Sequence, residues 1–216
     1  YKPVLWSTVE KTALADAEVE YMDHVSDTIY AAFKVKFSNL DIIKGADVII
    51  WTTTPWTIPA NKALAYNASL KYVLLEINDN KNFVNRKIVI AKDLLEPFKK
   101  DTSIENIKVL NEFLGKDLNG TICSHPFSKM EYNYDIPMLE ANFVTTEQGT
   151  GIVHCAPSHG PDDFNLCLNN NIKAIETVDG DGKYTSEIKL FEGLHIFKAN
   201  NLIICLLYTS PSPRDP

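Results

Sequence analysis

Apolar residues, many of them β-branched, alternate with polar ones or form short continuous runs along most of the 216-residue chain. Such patterns predict half-buried or fully buried strands. They occur over Ala17–Tyr21, Ile29–Phe37, Val48–Thr53, Tyr72–Ile77, Lys87–Ile90, Ile136–Phe143 and Gly151–Cys155. Helical spacing is rarer, and it predicts short helices over Pro59–Ala65, Ala91–Lys99 and Pro161–Leu168. Many strands with few helices predict an α+β domain whose β-rich core is barrel-like.

The end of the chain breaks this pattern. From Cys205 the sequence reads Cys-Leu-Leu-Tyr-Thr-Ser-Pro-Ser-Pro-Arg-Asp-Pro, which resembles the translated product of a sequencing-library adapter. Segments of that kind do not belong in an account of the fold. We therefore expect the natural domain to occupy residues 1–204 and residues 205–216 to be a non-native tail that packs on nothing.

Composition narrows the class of protein. The net charge of −7 argues against a protein that wraps long stretches of nucleic acid. It does not argue against one that grips a single-stranded end, where a few local cations suffice. No apolar run reaches the roughly 20 residues that span a bilayer, so we expect a cytoplasmic protein without a membrane partner. The four cysteines form no C-x-x-C pair and predict reduced thiols.

One candidate segment is rich in threonine. Thr52, Thr53 and Thr54 end an apolar strand, and Pro55 then forces the chain out of the ladder. Strand alternation places Thr52 and Thr54 on one face and Thr53 on the other. Their hydroxyls could line a polar cleft and position a water or a ribose hydroxyl. The alternative is a purely structural role, because threonine is a good strand former.

A second candidate segment combines histidines and carboxylates. His154 lies near the end of a strand, His159 follows in a turn, and a helix begins at Pro161. Asp162 and Asp163 then fall in the first helical turn, where unpaired amides and the helix dipole favour a carboxylate. Such a carboxylate could bind a substrate ammonium group, or it could only stabilise the helix start. The histidine spacing fits no common metal site, and no nucleophile or dinucleotide motif occurs, so no metal or cofactor is expected.

Together the two segments resemble the paired signatures of the editing insertion (connective peptide 1) of class I aminoacyl-tRNA synthetases for branched aliphatic amino acids. The pair Pro55-Trp56 and the histidine at position 154 are similar to the isoleucyl branch of that family. The resemblance covers residues 1–204. The chain has no His-x-Gly-His or Lys-Met-Ser-Lys-Ser motif, so the resemblance implies an editing fragment without the aminoacylation site.

This resemblance implies hydrolytic proofreading of valyl-tRNA(Ile), with valyl-adenylate as a second substrate, by a monomeric domain. Its partners would be the tRNA(Ile) acceptor end carrying valine and the rest of the synthetase chain. The implied roles are the α-ammonium acceptor for Asp163, catalytic positioning for Thr52, Thr53 and Thr54, and substrate binding for Asn61 and His154, with His159 and Asp162 as second choices. The alternative is a non-catalytic module that binds the tRNA 3′ end only within the full synthetase.

Overall fold

The computed structural model describes residues 2–23, 25–79 and 83–209. Its elements in chain order are β1 (Trp6–Ser7), β2 (Thr12–Ala13), β3 (Ile29–Phe37), β4 (Asp47–Thr52), β5 (Ala63–Tyr66), β6 (Lys71–Asp79), β7 (Phe83–Ala91), α1 (Leu95–Thr102), β8 (Ile107–Leu114), β9 (Ile122–Ser124), β10 (Asp135–Glu140), β11 (Ile152–Cys155), α2 (Pro161–Asn169) and α3 (Ile196–Thr209). Short 3-10 helices cover Asp16–Glu18, Asp41–Ile43, Pro55–Ala60, Lys92–Leu94, Gly115–Leu118 and Ser186–Phe191. The predicted α+β class with few helices is confirmed.

The chain forms two compact units. The first, here called the sheet unit, comprises Tyr30–Thr52 and Ala63–His154. The second, here called the motif unit, comprises Tyr1–Ile29, Thr53–Lys62 and Cys155–Pro216. The two signature segments of the sequence therefore each begin in the sheet unit and continue in the motif unit.

The sheet unit is built on one mixed sheet of nine strands, in the order β11-β5-β10-β9-β3-β4-β7-β6-β8. The pairs β5/β10 and β4/β7 are parallel, whereas β7/β6, β6/β8, β3/β9 and β9/β10 are antiparallel. A cluster of buried apolar side chains packs against it: Ile49, Val73, Leu75, Ile77, Ile88, Ile90, Phe98 and Ile104. Each such side chain contributes about 1.5–3 kcal/mol on burial, and their alternation along the strands is what the sequence pattern predicted.

The sheet curls without closing into a barrel. Its order ends at β8 and β11, yet Tyr72 in β6 donates its hydroxyl hydrogen to the carbonyl of Gly151, just before β11, at 2.7 Å. A β-carbon at Gly151 would lie 2.3 Å from that of Ala91, and its φ of +70° also favours glycine. The sheet therefore has the predicted barrel-like curvature, but its strand order is that of an open sheet and not of a closed barrel.

Two predicted elements are wrong. The segment Ala17–Tyr21 is not a strand, because the Glu18 amide donates to the Ala15 carbonyl at 2.9 Å and closes a 3-10 turn. The Glu18 carboxylate in turn accepts a hydrogen bond from the Ala15 amide at 2.8 Å. The predicted helix Pro59–Ala65 ends as a 3-10 helix at Ala60, and β5 begins at Ala63. There β5 pairs with β10, a long-range contact that overrides local helix propensity. The remaining predicted elements are present, with shifts of a few residues at their ends, and Ile29–Phe37 has the predicted bounds.

The motif unit has little regular structure. Strands β1 and β2 form a short antiparallel pair, and the Trp6 indole donates to the Gly180 carbonyl at 3.0 Å. Helix α3 packs against the 3-10 helix Pro55–Ala60. Within the described ranges no helix is long and apolar enough to cross a membrane.

The predicted tail boundary falls inside α3, which runs through Cys205 to Thr209. Leu206 and Leu207 are half-buried, and Tyr208 is 85% exposed. Residues 210–216 lie outside the described residues. The division into a domain of residues 1–204 and a non-native tail of residues 205–216 stays a prediction.

Candidate functional site

The threonine segment leaves the sheet one residue earlier than predicted. Strand β4 ends at Thr52, which is buried, and the chain bends at Thr53 into the 3-10 helix Pro55–Ala60. The Thr54 carbonyl accepts hydrogen bonds from the amide of Thr57 at 3.0 Å and from its hydroxyl at 2.8 Å. Because strand geometry stops here, alternation no longer separates the last two threonines, and Thr53 and Thr54 border the same cavity.

That cavity lies in the motif unit and has a volume of about 500 Å³. Its walls come from the threonine segment, the N-terminal segment and α3: Val25, Ser26, Asp27, Thr53, Thr54, Trp56, Phe197, Asn200 and Asn201. The volume falls within the roughly 300–1,000 Å³ typical of small-molecule sites. Aromatic rings beside hydroxyl, amide and carboxylate groups suit a ligand with both an apolar face and polar edges.

Trp56 connects the cavity to the second signature segment. The Trp56 ring contacts the His159 imidazole edge-on, with ring centroids 4.9 Å apart. The backbone carbonyl of Trp56 accepts a hydrogen bond from the Tyr184 hydroxyl. His159 in turn is hydrogen-bonded through Nε2 to the Thr177 hydroxyl at 2.8 Å. Burial lowers the pKa of His159 to about 4, so the imidazole is neutral at physiological pH. His159 therefore holds Trp56 as a neutral packing partner.

Asp163 is the third residue of α2, and its carboxylate folds back to accept the Ala156 amide at 2.9 Å. Burial raises the pKa of Asp163, while the hydrogen bonds from the Ala156 backbone and the Cys155 side chain lower it. Gly160 leaves the room for this fold, since a β-carbon there would lie 3.3 Å from the Asp163 carboxylate. A half-buried carboxylate of this kind is stabilised in its charged form by a neighbouring cation. Asp162, next to it, is exposed.

The two signature segments run side by side in the motif unit. The Lys62 amide donates to the Cys155 carbonyl at 2.9 Å, and the Trp56 ring contacts His159. Asn61, just before this junction, is fully buried. His154 is also buried, in β11 of the sheet unit.

Sequence reasoning missed part of the cavity wall. Phe197, Asn200 and Asn201 share one face of α3, and their i, i+3, i+4 spacing was a signal that could have found them. The segment Val25–Asp27 carries no comparable pattern. Asp163 is not among the described residues that line the cavity. Nor do the parts of the chain that the structure describes hold any group of three or more His, Cys, Asp or Glu side chains placed to bind a metal ion.

The fold is that of a synthetase editing domain. The editing domain of the P. falciparum cytosolic leucyl-tRNA synthetase superposes with a TM-score of 0.59, over 85% of this chain and 97% of that one, at 14% sequence identity. Residues 35–199 also match the family described as "Leucyl-tRNA synthetase, editing domain". The chain belongs to this family.

Within this family, the sequence is similar to those of isoleucine–tRNA ligases. It is 69% identical over 204 residues to that of Pelagibacter ubique and 45% identical over 212 residues to that of Gluconobacter oxydans. These matches cover 94% and 95% of this chain but only 22% of each relative, so the chain spans about that share of their length. The predicted resemblance to the editing domain of the isoleucyl branch is confirmed.

Proposed function

We propose that this chain is a proofreading hydrolase that removes valine from valyl-tRNA(Ile), acting as part of a cytoplasmic isoleucine–tRNA ligase. Family membership and the similarity to isoleucine–tRNA ligases support an editing role. One structural observation carries the proposal furthest. In the motif unit, the Trp56–His159 contact joins the cavity bordered by Thr53 and Thr54 to the segment that holds the half-buried Asp163 carboxylate.

The need for a second site follows from binding energetics. One methylene contributes only about 1–3 kcal/mol to discrimination, and isoleucine against valine is the standard illustration of this limit. A hydrolytic pocket that admits the isopropyl group of valine and clashes with the larger sec-butyl group of isoleucine adds a second selection. We assign the size limit to His154, with Asn61 as a further substrate contact. Both side chains are buried and therefore well fixed.

In the proposed reaction, Asp163 accepts the α-ammonium of the bound valine. A neighbouring ammonium favours the charged carboxylate, which offsets the effect of burial on its pKa. A carboxylate paired in this way is a poor general base, so it serves to orient the substrate. Asp162 is exposed and His159 is held by Thr177, which makes both of them secondary candidates for substrate binding.

Hydrolysis itself needs no covalent nucleophile, because the aminoacyl ester is already activated. A water oxygen bonds to the ester carbonyl carbon, the bond to the ribose oxygen breaks, and the products are valine and the ribose hydroxyl. Thr52, Thr53 and Thr54 supply hydroxyls that position this water or the ribose, and hydrogen bonds to the developing oxyanion lower the barrier. The tRNA(Ile) acceptor end would be delivered by the rest of the synthetase chain.

The test compares two esters of the same tRNA. The 216-residue chain is incubated with valyl-tRNA(Ile) and, separately, isoleucyl-tRNA(Ile), and the acid-precipitable ester is followed with time while tRNA binding is measured in parallel. We expect loss of the valyl ester well above the buffer rate, with at least about tenfold slower loss of the isoleucyl ester. Binding without turnover would favour the non-catalytic 3′-end module, and equal loss of both esters would contradict selection by size.

A further inference from the structure

Helix α3 presents one face to the cavity. Asn200 and Asn201 come three and four residues after Phe197, so the three side chains project from the same side of the helix. This helix packs against the 3-10 helix that carries Trp56. The side of the cavity that faces the threonine segment is therefore made by α3, which neither signature segment includes.

The chemistry of the cavity wall favours a nucleoside over a phosphate. None of the described residues that line it is lysine or arginine, and Asp27 places a carboxylate there. With a carboxylate in the wall and no lysine or arginine among these residues to offset its charge, an anionic group would be disfavoured. The aromatic rings of Trp56 and Phe197 offer platforms for a base, and hydroxyl and carboxylate groups can bond ribose hydroxyls.

Asn200 stands out among these residues. Its Oδ1 is buried and has no hydrogen-bond partner among the described residues. A buried acceptor without a partner lowers the stability of the fold, so its presence needs an explanation. A carboxamide that can turn about its terminal torsion presents a donor and an acceptor side by side, which is the pattern that pairs with the edge of adenine.

We infer that α3 forms the base-recognition wall of the cavity: Phe197 contacts the face of the terminal adenine of the acylated RNA, and Asn200 bonds its edge. This inference rests on the proposed function, because it names residues that bind the nucleoside half of that substrate. Phe197 is 66% exposed, which leaves its ring available to a ligand.

The experiment uses three valyl esters that differ in their alcohol part: 2′(3′)-O-valyl-adenosine, 2′(3′)-O-valyl-inosine and valine ethyl ester. Asn200→Leu and Phe197→Ala are compared with the parent chain, and Asn165→Leu, an exposed asparagine of α2, is the matched control. We expect Asn200→Leu to raise KM for valyl-adenosine about tenfold and to abolish the preference for adenosine over inosine. Hydrolysis of the ethyl ester should be unchanged, and the unfolding midpoint of Asn200→Leu should be equal or higher, because an unpaired buried acceptor is removed.

Unchanged KM for valyl-adenosine, or an equal loss on all three esters, would overturn the inference. Should Asn200→Leu fail to fold, Phe197→Ala gives the same decision, since its side chain is mostly exposed. If the parent chain hydrolyses no valyl ester, the proposed function is wrong. The base-recognition wall is then tested separately, by calorimetric titration of the chain with adenosine. Adenosine binding that is lost in Asn200→Leu would uphold the base-recognition wall, and no binding to the parent chain would overturn it.

Discussion

The sheet unit and the motif unit differ in what their interiors contain. In the sheet unit, aliphatic side chains fill the interior, and the buried carboxylate of Asp47 is paired with Arg86 at 2.7 Å. The motif unit instead holds the half-buried Asp163 carboxylate and the half-buried His159 imidazole, with no ion pair to either among the described residues, and it contains the cavity of about 500 Å³. The sheet unit thus holds the apolar core that stabilises the fold, whereas the motif unit holds the cavity and the polar groups that are available for chemistry.

This division explains why the signature segments cross from one unit to the other. Strands β4 and β11 are held by the hydrogen bonds of the sheet. At the end of each strand, where this regular hydrogen bonding stops, the chain continues into the motif unit. Residues beyond the strand ends adopt conformations that the ladder would forbid. Functional groups placed on such segments combine a rigid anchor with freedom of orientation.

The largest expected effect comes from Asp163→Ala in the motif unit. Removing the carboxylate that we propose pairs with the substrate ammonium costs about 3–5 kcal/mol, which corresponds to a roughly 100- to 5,000-fold loss of valyl-tRNA(Ile) hydrolysis. Rates are measured on the 216-residue chain, with Glu192→Ala, an exposed acid of the same unit, as the control. Hydrolysis at the parent rate by a folded Asp163→Ala variant would remove the role assigned to this carboxylate.

A core substitution in the sheet unit should have the opposite profile. Leu75→Ala empties space in the buried cluster and is expected to lower the free energy of unfolding by about 2–5 kcal/mol. Hydrolysis per folded molecule should stay close to that of the parent chain at temperatures where the variant is folded. Denaturant titration gives the first quantity and initial rates give the second. A catalytic loss as large as that of Asp163→Ala would show that the two units are not separable in this way.

The smallest of the three effects is a pH dependence from His159. Its folded pKa of about 4 lies below the ordinary value of 6.5, so the unfolded chain takes up the proton first as the pH falls. Stability is therefore fully present above about pH 6.5 and is lost towards pH 4, by up to about 3 kcal/mol. Denaturant midpoints measured across this range should fall less steeply in His159→Gln. An identical slope in the variant would mean that groups elsewhere in the chain cause the loss.

The fold was predictable where side chains alternate strictly. Strand β3 has the bounds that its pattern predicts, and β6 and β7 extend the predicted segments by a few residues. Strand β5 was mistaken for a helix because a short apolar run carries no period of its own. Its pairing with β10, more than sixty residues away in sequence, decides its conformation.

The candidate site likewise has a part that the sequence revealed and a part that only the structure showed. The residues Thr52, Thr53, Thr54, Asp162 and Asp163 stand out in the sequence because hydroxyls at a strand end and acids at a helix start are locally recognisable. The roles assigned to them, to Asn61 and to His154 and His159, remain proposals. What the sequence did not reveal is that Thr53 and Thr54 border one cavity, or that Trp56 contacts His159.

By itself, the sequence determined the α+β class, the two signature segments and the resemblance to synthetase editing domains, since hydrophobic period and local motif are properties of neighbouring residues. Only the tertiary structure decided that the sheet curls without closing, that α3 forms one wall of the cavity and that Asp163 is half-buried. These features depend on contacts between residues far apart in the chain, which no local pattern of residues reveals.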